Sequence, residues 1–177
     1  IIFISLTTSI KADLNKNLKN QLEYGGKLIF IRHAYAPGSG DPNNFNLNDC
    51  STQRNLSEEG KKQAEYIGEF FSNNEISIDK VLSSEWCRCK ETAQIAFKNF
   101  STNSFLNSFY SSKFAKNKDK QINALYDYIK KLKNNKNLVF VTHYVLISEV
   151  LNYGPSSGEI VLSDKNFNII GSIEINY

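Results

Sequence analysis

The chain has 177 residues, 41% hydrophobic and 22% charged, with a net charge of +3. That length and balance suit one globular domain with a sizeable core and exclude a disordered chain. The mild basicity favours small anionic ligands. It is too weak for nucleic acid, and no zinc-finger or RNA-binding signature is present.

The chain opens IIFISLTTSIKA and contains no Met. An apolar run passing into small and hydroxyl residues up to Ala12 resembles the end of a secretory signal peptide. Residues 1–12 are therefore expected to be its remnant and residues 13–177 the domain. A first strand over residues 1–6 is the competing reading. The run is too short to span a membrane, so no stable insertion is expected. Export would make the protein periplasmic or secreted; without a signal peptide it would be cytoplasmic. Cys50, Cys87 and Cys89 are the cysteines. Export permits one disulfide, in which Cys87 or Cys89 pairs with Cys50, and three free thiols are the alternative. The C-x-C spacing does not suit zinc.

Residues 27–32 (KLIFIR) form a short apolar run that suits a strand covered on both faces. Ser57 then caps a helix that opens with Glu58 and Glu59, where the helix dipole favours acids. Ala64, Ile67, Phe70 and Phe71 continue it at helical spacing. Residues 79–82 predict a second strand, closed by Ser83 and Ser84. A helix follows, with Trp86, Cys89, Ala93, Ala96 and Phe97 expected inside. Residues 98–117, rich in Asn, Ser and Phe, predict loop with one edge strand near 106–110. A helix is expected over 119–133, a third buried strand over 137–142, and a helix from there to about Tyr153. Two runs, 159–163 and 169–175, predict strands joined by a turn at 164–168. The alternation predicts an α/β fold: a three-layer α/β/α sandwich with a mostly parallel central sheet and an antiparallel C-terminal edge.

His33 and His143, the chain's two histidines, both follow apolar strands. In an open parallel sheet, ligands bind beyond the carboxyl ends of the strands. Arg32 precedes His33, and Arg88 lies one turn into the helix after Ser83-Ser84. Two arginines and two histidines converging there make an anion site, because the planar guanidinium fork matches phosphate oxygens.

LIFIRHA, LSEEGKKQA, SSEWCRCKETA and VFVTH, in that order, resemble the motifs of the histidine phosphatase superfamily, the phosphoglycerate-mutase-like fold. The tract GSGDPNNF…DCSTQRNLSEEG is similar to that of a short, exported bacterial subgroup. Ala34 stands where the family usually has Gly, and the turn is expected to survive. The resemblance implies a metal-independent phosphatase acting on small phosphomonoesters without a cofactor. His33 would be the nucleophile that becomes phosphohistidine. Arg32 and Arg88 would hold the phosphoryl oxygens, and His143 would hydrogen-bond the transferring group. Arg54 lies where members of the family often touch phosphate; an exposed Arg is the alternative. Ser157 and Gly158 would offer backbone donors at the rim, and Gly38-Ser39-Gly40 is either an anion nest or flexible loop. Many members place a general-acid Glu between the second helix and the second histidine, yet residues 94–142 contain none. Glu159, Asp41 and Asp49 are the candidate acids. The same residues also fit a phosphomutase, or a module that binds phosphate without catalysis. A metal hydrolase is disfavoured because the arginines would repel a divalent cation.

Overall fold

A short run that is apolar at every position needs cover on both faces, so such runs take the middle of a sheet. The computed structural model describes residues 16–133 and 135–176. Its apolar runs are β1 (Leu28–Arg32), β2 (Lys80–Ser83) and β4 (Leu138–Thr142). With β3 (Ser101–Thr102), β5 (Ile160–Ser163) and β6 (Ile169–Ile173) they form one sheet, ordered β3-β2-β4-β1-β5-β6. The first three pairings are parallel; β5 runs antiparallel to both β1 and β6.

Strand side chains alternate between faces, and the two faces have separate cores. Leu28, Phe30, Leu138 and Phe140 pack under α5 (Lys118–Lys130) and α6 (Tyr144–Leu151) through Ile122, Leu125, Leu146 and Ile147. Ile29, Ile31, Val139 and Val141 pack under α1 (Lys16–Tyr24), α2 (Glu58–Asn73) and α3 (Cys87–Phe97) through Leu22, Ile67, Phe70 and Ala93. The three-layer architecture expected from the alternation is therefore present. Among the described residues, no helix is long and apolar enough to cross a membrane.

Local signals explain several boundaries. The Ser57 side chain accepts from the Gly60 N–H at 3.2 Å and starts α2. Gly60 has no room for a side chain: a Cβ there would sit 1.9 Å from the Tyr35 carbonyl oxygen. The loop after β1 thus rests on the first turn of α2. Asn152, in the left-handed region at φ 49°, ends α6 at Leu151, two residues before the expected end.

The structure corrects the reading of residues 98–117. The edge strand is the two-residue β3, not residues 106–110. Asn103 instead caps a 3-10 turn, Ser104–Leu106, by accepting from the Phe105 N–H at 3.2 Å. Leu106 is then drawn into the core, and its carbonyl accepts from Thr142 Oγ1 at 2.6 Å. A short helix, α4 (Ser112–Ala115), follows. α1 was not expected. Ala96 and Phe97 are half-buried rather than fully inside. The signal-peptide and first-strand readings of residues 1–12 lie outside the described residues.

Candidate active site

The parallel register aligns Arg32 with Thr142 and Ser83 with Val141. The carboxyl ends of β1, β2 and β4 therefore open on the same side of the sheet. Backbone bonds extend this alignment one residue further, from His33 N–H to the Thr142 carbonyl and from Ser84 N–H to the Val141 carbonyl, each 2.9 Å. Beyond these ends lies a cavity of about 190 Å³ lined by Arg32, His33, Asp41, Arg54, Arg88 and His143, among others.

His33 and His143 are both buried, with ring centroids 5.6 Å apart in an edge-to-face arrangement. His33 Nδ1 lies 2.8 Å from the Ala34 carbonyl oxygen, which can only accept. The ring proton of neutral His33 is therefore on Nδ1, leaving Nε2 unprotonated and able to accept. Arg88 Nε donates to that atom at 3.2 Å. Burial, then the Arg88 charge, push the His33 pKa well below its ordinary value against the Ala34 hydrogen bond; Arg54 and Arg32 add to the shift. His143 is lowered well below its ordinary value by burial, then by Arg88, His33, Arg54 and Arg32. Both rings are neutral at neutral pH.

Ala34 survives in place of the expected glycine because its φ is not positive. It is fully buried, and its N–H is held by Thr92 Oγ1 at 3.1 Å. Arg32 donates from Nη1 to the Pro155 carbonyl at 2.9 Å, and its guanidinium lies 5.5 Å from the Tyr144 ring centre. Its Nε is buried and has no partner among the described residues. Arg54 is held by the Gly40 carbonyl at 2.8 Å and by the Ala36 carbonyl. Burial and then Arg88 bring its pKa down to about 10 against the pull of Asp41, so it stays cationic at neutral pH. Gly38, Ser39 and Gly40 line the same cavity.

The three candidate acids separate in space. Asp41 lines the cavity and bonds Arg88 Nη1 at 2.7 Å, Nη2 at 3.3 Å and Trp86 Nε1 at 3.1 Å. Burial raises its pKa, but the Arg88 hydrogen bond and charge outweigh this and hold it below the usual carboxylate value. Asp49 is exposed and caps a 3-10 turn through the Ser51 N–H. Glu159 is buried away from the cavity, accepting from Tyr153 Oη at 2.5 Å and the Ser156 N–H at 2.7 Å. Ser157 and Gly158 also lie outside the lining. The Gly158 N–H is directed at the Arg32 carbonyl at 3.1 Å, and the Ser157 carbonyl accepts from Gln63 Nε2 at 2.8 Å. They brace the backbone that carries Arg32 and His33.

Cys50 and Cys87 form a disulfide, and Cys89 is a buried free thiol pushed up to about 12 by burial. The bond ties the loop carrying Asp41 and Arg54 to the first residue of α3, next to Arg88. Sequence reasoning missed Ser84 as a neighbour of His143, and Asn107 and Glu85 behind it. Ser84 Oγ lies 2.8 Å from His143 Nε2, and Asn107 bonds both Ser84 and Glu85. The Ser-Ser pair after β2 was a visible signal for the first; the others come together only through the turn at Ser104–Leu106.

The model of the histidine phosphatase superfamily (branch 1) matches residues 28–106. The match spans His33 and Arg88 and stops before His143. No curated protein matches the sequence. Solved structures share the fold. The protein TTHB049 of Thermus thermophilus superposes with a TM-score of 0.61 at 15% identity, covering 85% of this chain and 99% of that one. A phosphoglycerate mutase from the same organism gives 0.59 at 15% identity, with coverages of 85% and 99%. The protein histidine phosphatase SixA complexed with tungstate gives 0.57 at 14% identity, with coverages of 83% and 96%. At these identities the likeness shows the fold, and with the family match it supports the histidine phosphatase superfamily.

Proposed function

We propose that this chain, whose family match and fold support the histidine phosphatase superfamily, is a metal-independent phosphohydrolase working through a phosphohistidine on His33. The observation that carries this reading is the His33 ring itself. A hydrogen bond to the Ala34 carbonyl leaves Nε2 unprotonated, and there it accepts from Arg88 Nε at 3.2 Å. A neutral imidazole with its lone pair directed at a cationic pocket is a nucleophile for an anionic phosphorus centre. Arg32, Arg54 and Arg88 offer fixed donors to the equatorial oxygens, where charge must be stabilised during transfer. The P–O ester bond breaks as the N–P bond forms, and water then attacks phosphohistidine to release phosphate.

Asp41 is the one candidate acid in the cavity, and Arg88 holds it as a carboxylate. A site with no ready proton for the leaving oxygen favours substrates with good leaving groups: aryl or acyl phosphates and phosphoramidates. A general acid contributes about 10²–10⁴-fold, so alkyl phosphates are expected to lag by a factor in that range. Comparable rates on alkyl and aryl esters would exclude this preference. The Cys50–Cys87 disulfide supports placing the protein in an oxidising compartment, periplasmic or secreted.

The test is turnover of an aryl phosphate in EDTA by the wild type and His33→Ala, with acid-labile phosphate measured on quenched enzyme. Activity and labelling that both require His33 establish the mechanism. Phosphate binding without labelling or turnover would make the protein a non-catalytic module.

A further inference from the structure

The turn between α6 and β5 is tied down by a carboxylate that lies outside the cavity. Glu159 is buried and accepts from Tyr153 Oη at 2.5 Å and from the Ser156 N–H at 2.7 Å. Tyr153 Oη in turn lies 3.2 Å from Ser172 Oγ on β6. The Ser156 N–H and the Pro155 carbonyl belong to one peptide unit, and it is trans. In a planar trans peptide these two groups point in opposite directions. Glu159 therefore grips one side of the plane, while the other side presents its oxygen to Arg32 Nη1 at 2.9 Å. The plane cannot turn without breaking a bond on each side.

Arg32 ends β1 and lines the cavity. Its backbone is fixed by its neighbours: its N–H donates to the Glu159 carbonyl at 3.3 Å, and its carbonyl accepts from the Gly158 N–H at 3.1 Å. Its side chain depends on the Pro155 carbonyl and on the Tyr144 ring, whose centre is 5.5 Å from the guanidinium carbon. With Nη1 engaged by Pro155, the edge formed by Nε and Nη2 is the one left for a ligand. Nε is buried and has no partner among the described residues. Two parallel N–H groups on one guanidinium edge match two oxygens of a phosphoryl group.

We propose that Glu159 is a positioning residue for phosphoryl binding: through the Pro155–Ser156 peptide it sets the orientation of Arg32 and keeps the Nε–Nη2 edge available to phosphoryl oxygens. The inference rests on the phosphoryl-binding reading of the cavity and gives Glu159 a role other than that of an acid. Glu159 acts by reach, not by charge. In Glu159→Gln the amide oxygen still accepts from the Ser156 N–H, and the amide nitrogen donates to Tyr153 Oη, whose hydrogen turns to Ser172. Glu159→Leu removes both bonds. Glu159→Asp keeps the charge and withdraws the carboxylate by one methylene.

The probe is inorganic phosphate, titrated calorimetrically into the full chain. Glu159→Leu and Glu159→Asp are each expected to weaken binding by about 3–10-fold, the usual weight of one hydrogen bond. Glu159→Gln is expected to bind as the wild type does. Arg54 and Arg88 keep binding measurable in Arg32→Ala, and there the Leu and Asp substitutions are expected to change nothing, because no guanidinium remains to be positioned. A purely structural role would weaken binding in both backgrounds. Should Glu159→Leu fail to fold, Glu159→Asp carries the same comparison. Phosphate should also move the nitrogen-15 signal of Arg32 Nε–H in the wild type and in Glu159→Gln, and move it less in Glu159→Asp. Undiminished binding in the Leu and Asp variants, an equal loss in the Arg32→Ala background, a Gln variant as weak as the Asp variant, or an Arg32 signal unmoved by phosphate in the wild type would each overturn the inference. A wild type that binds no phosphate removes the phosphoryl reading and this inference together. Phosphate binding without coupling between Glu159 and Arg32 removes this inference alone.

Discussion

Arg88 is the side chain on which the site turns, because its three nitrogens reach His33, His143 and Asp41 at once. A lysine presents one point of charge and cannot keep that geometry. Arg88→Lys in a folded protein is expected to lower kcat/KM by about 10²–10³-fold, the usual effect of losing one placed donor, as steady-state kinetics on an aryl phosphate would show. The histidines make a second prediction. Both are held neutral below their ordinary pKa by burial and by Arg88. Between the unfolded value of about 6.5 and the lower folded value, the unfolded chain binds more protons than the native one. Stability must therefore fall as pH drops through that window. Urea midpoints are expected to decrease from pH 7 to pH 5, and less steeply in His33→Gln. A midpoint independent of pH over this range would contradict the neutral, buried rings. At this scale Arg32, His33, Arg88 and His143 could be picked out beforehand, because three of them stand at strand ends and Arg88 lies in the first turn of the helix that follows β2. Asp41 stood among three acids with nothing to separate them, since its value depends on Arg88, 47 positions along the chain.

The connections between elements give two further predictions. The disulfide closes a segment with a sequence separation of 37. A constraint on a loop of that size stabilises by about 2–4 kcal/mol. Replacing Cys50 and Cys87 together by Ala is expected to lower the melting temperature and weaken phosphate binding, because the segment carrying Asp41 and Arg54 loses its tie to α3. Melts and titrations with and without reductant check both. Gly60→Ala forces the Tyr35 carbonyl away from the first turn of α2. Overpacking of this kind costs about 1–3 kcal/mol, read as a shift in urea midpoint at unchanged m-value. Strands and long helices were legible because their apolar period is local. α1 was not: of its residues only Leu22 is buried, so it lacks a full apolar stripe. The turn at Ser104–Leu106 was missed because residues 98–117, rich in Asn, Ser and Phe, carry no clear apolar period, and the turn is set by the Asn103 cap and the distant Thr142 bond.

Across the whole molecule, the C-terminal hairpin is part of the pocket's frame. β5 lies beside β1, and the chain leading into it holds the Arg32 side chain through the Pro155 carbonyl and the Arg32 backbone through the Gly158 N–H. The sheet could be foreseen as mostly parallel with an antiparallel end; that its last connection grips the strand carrying Arg32 could not, since it depends on contacts between residues far apart in the chain. Three guanidinium groups and one carboxylate line the cavity, leaving two positive charges in excess. Folding brings these like charges together, and an anion that enters relieves their repulsion only in the native state. The melting temperature of this protein is thus an assay for its own substrate. A ligand at one hundred times its Kd adds about 2.7 kcal/mol to native stability whether or not it is turned over. A panel of phosphorylated compounds melted with the His33→Ala variant would rank candidates by affinity alone, and the compound that holds the fold longest identifies the chemistry the pocket was shaped to receive.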